Sequence, residues 1–239
     1  MDNSTKEKLS EIKNNLDKEY YMPEAFRENA DGNYGMVVEK ILGVEENNLS
    51  TPDLGTHELK TKKKGSSCRT TLFCNEPNWI SEPDLEDEDE KGDKKKKSKL
   101  RDFVEAIKIS DTNQRAYTTV SIKENNRFLK IDIDGENLYL YFCDQKIAYW
   151  PIAVLKKRAN EKIDNLVVAP VSEKEKIVKI EDINIYENLL EDEFVKKIKQ
   201  GKIVVEFRCK ITDDNKLRNR GTCFRMHEKD IKLIYEESE

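Results

Sequence analysis

Two acids and an amine fall close together in "TPDLGTHELKTKKKG" (residues 51–65): Asp53, Glu58 and Lys60. Carboxylates are hard oxygen donors, and two or three of them suffice for magnesium, which keeps several of its own waters. A cation held there neutralises a phosphodiester and makes a water easier to deprotonate. An ammonium beside it steadies the charge that grows in the transition state. The chemistry on offer is therefore hydrolysis of a phosphate ester. Asp53 and Glu58 are the candidate metal ligands through their side chains, and Leu59 is a third through its carbonyl. The same pattern also fits a charged strand edge with a Glu–Lys pair, the commoner meaning of so short a motif.

The stretch "THELKTK" alternates, which predicts a strand with Glu58 and Lys60 on one face and His57, Leu59 and Thr61 on the other. Asp53 is expected at the entry to a strand. "GNYGMVVEKILGVEENN" predicts a helix whose apolar face is Val37, Val38, Ile41 and Leu42, with Glu39 available as a supporting acid. An earlier helix is expected from Thr5 to Lys18, with Leu9, Ile12 and Leu16 as its stripe and Ser4 as its cap. "RTTLFC" reads as a strand, and "NRFLKIDIDGENLYLYFCDQ" as a hairpin about Asp134-Gly135. "NLVVAPVS" and "EKIVKIEDINIY" add strand-like segments.

Near the C-terminus, "YENLLEDEFVKKIKQG" predicts a helix with Leu189, Leu190, Phe194, Val195 and Ile198 inward and Gly201 as its stop. "KIVVEFRCKI" predicts a strand with Ile203, Val205, Phe207, Cys209 and Ile211 in the core and Val204 outward. The polar "TDDNKLRNRG" reads as a loop before a last strand, "TCFRM". The sum is an α+β protein with a mixed sheet in two lobes.

Composition narrows the setting. The 239-residue chain is 36% hydrophobic and 38% charged, and no apolar run approaches a membrane span. The N-terminus has no apolar signal segment, so a cytoplasmic protein is expected. Five cysteines with no CxxC pair, and two histidines, exclude a zinc-ligand pattern and argue against a disulfide framework. His57 reads as a packing residue and His227 as structural. The net charge of −5 owes much to "SEPDLEDEDE" (81–90), with seven acids and no base. That run continues into "KGDKKKKSKLR", and the whole of 78–100 is expected to be a flexible, solvated insertion. Charge alone neither favours nor excludes DNA.

"GNYGMVVEKILGVEENNLSTPDLGTHELKT", followed by "TTLF", resembles the catalytic segment of the MvaI/BcnI group of type II restriction endonucleases. The mismatch-repair nicking enzyme MutH is a more distant relation. The group's order is a glycine-bearing turn, a helix with an inward Glu, E-x-N, then D, a short gap, E-x-K and T-L-F. Gly35, Glu39, "EENN", Asp53, Glu58, Lys60 and "TTLF" match it in turn, and "NRGTCFRM" resembles a late strand of the group.

The resemblance implies a PD-(D/E)xK nuclease fold with a mixed central sheet, flanking helices and two lobes forming a DNA cleft. It implies a magnesium-dependent monomer that cuts duplex DNA one strand at a time at CC-N-GG-type sites. It places Asp53, Glu58 and Lys60 in the catalytic roles, with Glu39 in support. The lobes are expected to be 1–150, catalytic, and 151–239, DNA-recognising, and they can interleave. A cognate DNA methyltransferase is implied genetically, not as a bound subunit. Where relatives hold histidines, this chain has Cys74, Arg218, Arg220 and Cys223, which bears on the target sequence more than on the chemistry.

Arg208, Arg218, Arg220 and Arg225 lie in a segment suited to DNA, since arginine pairs bidentately with guanine in the major groove. Phosphate contacts, which confer no sequence preference, would use the same residues. Lys62 and Lys63 suit phosphates or solvent, and Cys74 completes the candidate DNA-binding set. Two other readings remain: a MutH-like nicking endonuclease that depends on a partner, and a non-catalytic DNA-binding module.

Overall fold

The computed structural model describes residues 2–22, 33–43, 51–80, 92–107 and 115–237. The "EENN" segment (45–48) and the acidic run 81–90 lie outside them. In chain order the first elements are α1 (Asn3–Asn14), β1 (Tyr20–Tyr21), α2 (Asn33–Ile41), β2 (Glu58–Lys63), β3 (Thr70–Cys74) and β4 (Asn78–Trp79). Next come α3 (Gly92–Ile107), β5 (Arg115–Val120), β6 (Leu129–Asp134), β7 (Asn137–Phe142), β8 (Gln145–Pro151) and α4 (Ile152–Ile163). The rest are β9 (Leu166–Lys174), β10 (Ile177–Ile180), β11 (Asn184–Tyr186), α5 (Glu191–Lys199), β12 (Ile203–Ile211), β13 (Leu217–Met226) and α6 (Glu228–Ile231). The mixed α+β class matches the expectation.

These elements form two compact units whose segments interleave along the chain: residues 1–70, 159–191 and 227–239 in one, 71–158 and 192–226 in the other. The first unit is built on β9. Its Leu166, Val167, Val168 and Ala169 are all buried, as a strand covered on both faces requires. β2 pairs with it in parallel from Glu58↔Leu166 to Lys63↔Val171. β11 and β10 pair antiparallel with its two halves along the opposite edge, and β1 extends β10. Helices α1 and α2 cover one face through Leu9, Ile12, Val37, Val38 and Leu42, packed with Leu59, Val167, Ala169 and Val171. Leu59 points into that core, so alternation turns Glu58, Lys60 and Lys62 to the other face.

The cap of α1 is Asp2 rather than Ser4, its carboxylate accepting from Thr5 N at 2.7 Å. The helix also stops at Asn14, short of Lys18, leaving Leu16 in a bridge to Ile180.

The second unit contains two four-stranded sheets, β3-β13-β12-β5 and β4-β8-β7-β6. The β6–β7 hairpin forms as expected, with Asp134 opposite Asn137 and Gly135 at φ +58°. Four expectations are corrected. Segment 78–100 is not wholly an insertion: Trp79 belongs to β4 and meets the Phe103 ring at 5.2 Å. The lysine run lies in α3, since lysine is a good helix former and Leu100, Phe103, Val104 and Ile107 provide a buried stripe. Helix α5 begins at Glu191, so Leu189 and Leu190 precede it and Leu190 is exposed. Finally, Val204 is buried along with its neighbours, and β13 begins at Leu217, which puts Arg218 and Arg220 on a strand instead of a loop. Backbone pairing with β12 stabilises that polar half despite its composition.

Candidate active site

The turn before β2 is built by backbone chemistry and held by α1. Leu54 N donates to His57 O at 2.9 Å, and Gly55 sits at φ +86°. A Cβ on Gly55 would lie 3.1 Å from Thr5 Oγ1, so a side chain there would be strained as well as crowded. Thr5 is fully buried; its hydroxyl donates to Leu54 O and accepts from Thr56 N at 3.2 Å. Asp53 therefore stands in a tight turn, not at a strand entry. Its Oδ2 accepts from Leu59 N at 3.3 Å, and its own carbonyl accepts from Lys8 Nζ at 3.2 Å. The first turns of α1 thus help to hold the loop that carries Asp53.

Glu58 opens β2 with only 1% of its side chain exposed. Lys60 donates to its Oε1, as the shared strand face predicts. Its Oε2 has no well-aligned hydrogen bond, yet lies 2.8 Å from the ammonium of Lys162. That ammonium is 3.9 Å from Asp53 Oδ1 and donates to Thr51 O at 3.0 Å. Lys162 therefore stands between the two carboxylates, where a cation is best placed to offset their repulsion. Burial and then the charge of Asp53 raise the Glu58 carboxyl above its usual range, opposed by Lys60 and Lys162.

Sequence reasoning missed Lys162. It arrives on α4, far from the motif in sequence, and only the seating of α4 beside β2 reveals it.

The remaining candidates divide. Glu39 is half-buried on α2; a Cβ added to Gly35 would lie 3.8 Å from its Oε1 and 3.2 Å from Thr61 Oγ1 of β2. Lys63 is on the opposite face of β2 from Glu58 and pairs with Glu173 at 3.1 Å. His57 is buried, with Nδ1 at 2.9 Å from Thr56 Oγ1 and Nε2 at 3.5 Å from Glu187, as a packing residue should be. His227 lines a groove, described below.

In the second unit, Arg225 and Arg208 both engage Glu206, Arg208 at 3.7 Å. Glu206 is registered opposite Cys223, and the Cys223 and Cys74 sulfurs are 2.7 Å apart. Cys74 thus stands beside this cluster, while Arg218 and Arg220 are exposed on β13.

Among the described residues no group of three or more His, Cys, Asp or Glu side chains is arranged to hold a metal. The donors at hand are the Asp53 and Glu58 carboxylates and the Leu59 carbonyl. This all-oxygen set, with a buried carboxylate oxygen facing an ammonium, fits magnesium better than a softer ion.

The model of the MvaI/BcnI restriction endonuclease family matches residues 7–235, nearly the whole chain. The chain belongs to that family. It is a type II restriction endonuclease acting on DNA, in a class of enzymes that generally need a divalent metal. Among solved structures it resembles a restriction endonuclease MvaI–cognate DNA substrate complex at 20% identity and a TM-score of 0.75. That alignment covers 99% of this chain and 98% of the other. It also resembles restriction endonuclease MvaI in the absence of DNA, at 22% identity and a TM-score of 0.53, over 99% and 97% of the two chains. At such identity these structures support the fold. No curated protein matches the chain. No helix among the described residues is long and apolar enough to cross a membrane.

Proposed function

We propose that this restriction endonuclease hydrolyses duplex DNA with magnesium at a short G/C-containing, CC-N-GG-like site. It acts in the cytoplasm as a monomer that cuts the strands in turn, beside a cognate methyltransferase encoded separately. The observation that carries this reading is the Asp53–Glu58–Lys60 set on one turn and strand, with Lys162 between the carboxylates.

Asp53, Glu58 and the Leu59 carbonyl would hold the ion, with Glu39 in support. When bound, magnesium supplies charge neutralisation at the scissile phosphate and lowers the pKa of a water. Lys60, anchored on Glu58, orients the attacking water and offsets charge on the phosphorane-like transition state. Lys162 keeps the two carboxylates together and is the group whose charge a metal ion would replace. The burial of Glu58 strengthens each of these interactions by excluding water.

The first unit is accordingly the catalytic one, and the second reads DNA. Arg218 and Arg220 are the better base-reading candidates, because Glu206 already occupies Arg208 and Arg225. The relative resembled most closely in fold of the two above is a complex with DNA, which accords with duplex DNA as substrate. The test is digestion of sequenced genomic DNA by the purified chain with magnesium, followed by mapping of the ends. Uniform double-strand breaks at one site support the proposal. Nicks alone would favour the partner-dependent alternative.

A further inference from the structure

The even positions of β2 do not end at the catalytic lysine. Glu58, Lys60 and Lys62 follow one another on the same face, at about 6.6 Å per pair of residues in a parallel strand. Two nucleotides of one DNA strand rise by about 6.8 Å, so the face is graduated to match every second backbone position along the duplex axis. Beyond Lys62 the strand runs into an open groove of about 670 Å³, whose lining includes Ser66, Ser67, His227, Lys229 and Lys232. Lys62 itself lines it, with a side chain only 10% exposed, and reaches Glu228 Oε2 at 3.5 Å. Three lysines against that one glutamate leave the lining with a surplus of positive charge.

The neighbouring lysines behave differently. Lys63 and Lys64 are paired with Glu173 and Glu181 at 3.1 and 3.0 Å. Burial, and then the positive charges of Arg69, Lys62 and Lys229, hold the His227 imidazole below its usual pKa. Arg69 adds a positive charge near His227 to those of the lining lysines, opposed by Asp230, and the groove offers two serine hydroxyls as uncharged donors. Hydroxyls and ammoniums suit phosphate oxygens, whose recognition positions DNA and carries no sequence information.

We propose that this groove seats the sugar–phosphate backbone of the strand being cut, beside the scissile phosphate, with Lys62, Lys229 and Lys232 as its charged contacts. The inference rests on the nuclease reading of Asp53, Glu58 and Lys60. It extends the DNA-contacting surface to the loop after β2 and to the α6 segment, which no motif marked.

The test is duplex binding by the full chain in EDTA, where no cleavage occurs, followed by fluorescence anisotropy across a salt series. Lys229 and Lys232 are exposed, so the Lys229→Ala/Lys232→Ala double variant should fold normally. It should lose about one to two units of the slope of log affinity against log salt, and bind about tenfold more weakly at low salt. Methylphosphonate replacement of the second phosphate from the cut should weaken the wild type and leave the variant nearly unchanged. A wild-type slope in the variant overturns the groove assignment while leaving the nuclease reading intact. An equal loss in a Lys6→Ala/Lys13→Ala control, on exposed positions of α1, also overturns it, because overall charge would then explain the effect. A wild-type chain that binds no duplex overturns both.

Discussion

Replacing Lys162 by Met tests how the acid pair is held. The Lys162 side chain is 15% exposed, and its ammonium lies 2.8 Å from Glu58 and stands between it and Asp53. Removing one partner of a fully buried pair costs about 3–5 kcal/mol, and a hydrogen bond to a charged group about 1.5–3 kcal/mol. Lys60 stays on the other oxygen of Glu58, so the lower range applies and about 2 kcal/mol is expected. For a chain of this size that lowers Tm by about 4–8 °C.

The loss has a pH signature. Burial already raises the folded-state Glu58 carboxyl, and losing Lys162 raises it further. A folded pKa above the unfolded one means that the folded state binds the extra proton. The deficit is therefore full at neutral pH and shrinks as acid protonates Glu58. Magnesium should act likewise, stabilising Lys162→Met more than the wild type because the ion replaces the missing charge. Thermal unfolding by circular dichroism at pH 5.5 and 7.5, with EDTA or magnesium, reads all three effects. An unchanged Tm in EDTA, or an equal magnesium shift in both proteins, would refute the reasoning.

Thr5→Val should lower both stability, by about 1–3 kcal/mol, and cleavage rate, since the hydroxyl that clamps the Asp53 loop is lost; denaturant melts and plasmid digestion measure the two. Arg218→Ala or Arg220→Ala should cost about 1–3 kcal/mol of discrimination at one base pair, in competition binding, with little change in stability. Arg225→Ala should instead destabilise the fold, because Glu206 loses the closer of its two arginine partners. Oxidised glutathione should close Cys74 and Cys223 into one disulfide, releasing two reduced glutathiones, given their 2.7 Å separation. Peptide mapping should show a loss of about 2 Da at that pair, and Cys74→Ser should abolish it.

What was legible in the chain was local chemistry. Glu58 and Lys60 share a face because strands alternate, and no partner element was needed to see it. The apolar stripes of α1 and α2 were equally plain, whereas the cap of α1 was not, since Asp2 and Ser4 are both good caps. Lys162 was hidden because "IAVLKKRANEKI" lies about a hundred residues from the motif, and its role depends wholly on where α4 seats. Arg218 and Arg220 were misplaced in a loop because their strand is made by pairing with β12 and not by an apolar pattern. Glu206 could not have been assigned to Arg208 and Arg225 before the register of β12 against β13 was known.

The central claim is that Asp53, Glu58 and Lys60 form a magnesium-dependent nuclease site. The most direct measurement compares plasmid cleavage by wild type and Lys60→Ala with magnesium, alongside duplex binding of both in EDTA. Site-specific cutting by the wild type, none by the variant, and similar binding by the two are expected. Undiminished cutting by Lys60→Ala, or cutting by the wild type that persists in EDTA, would contradict the claim.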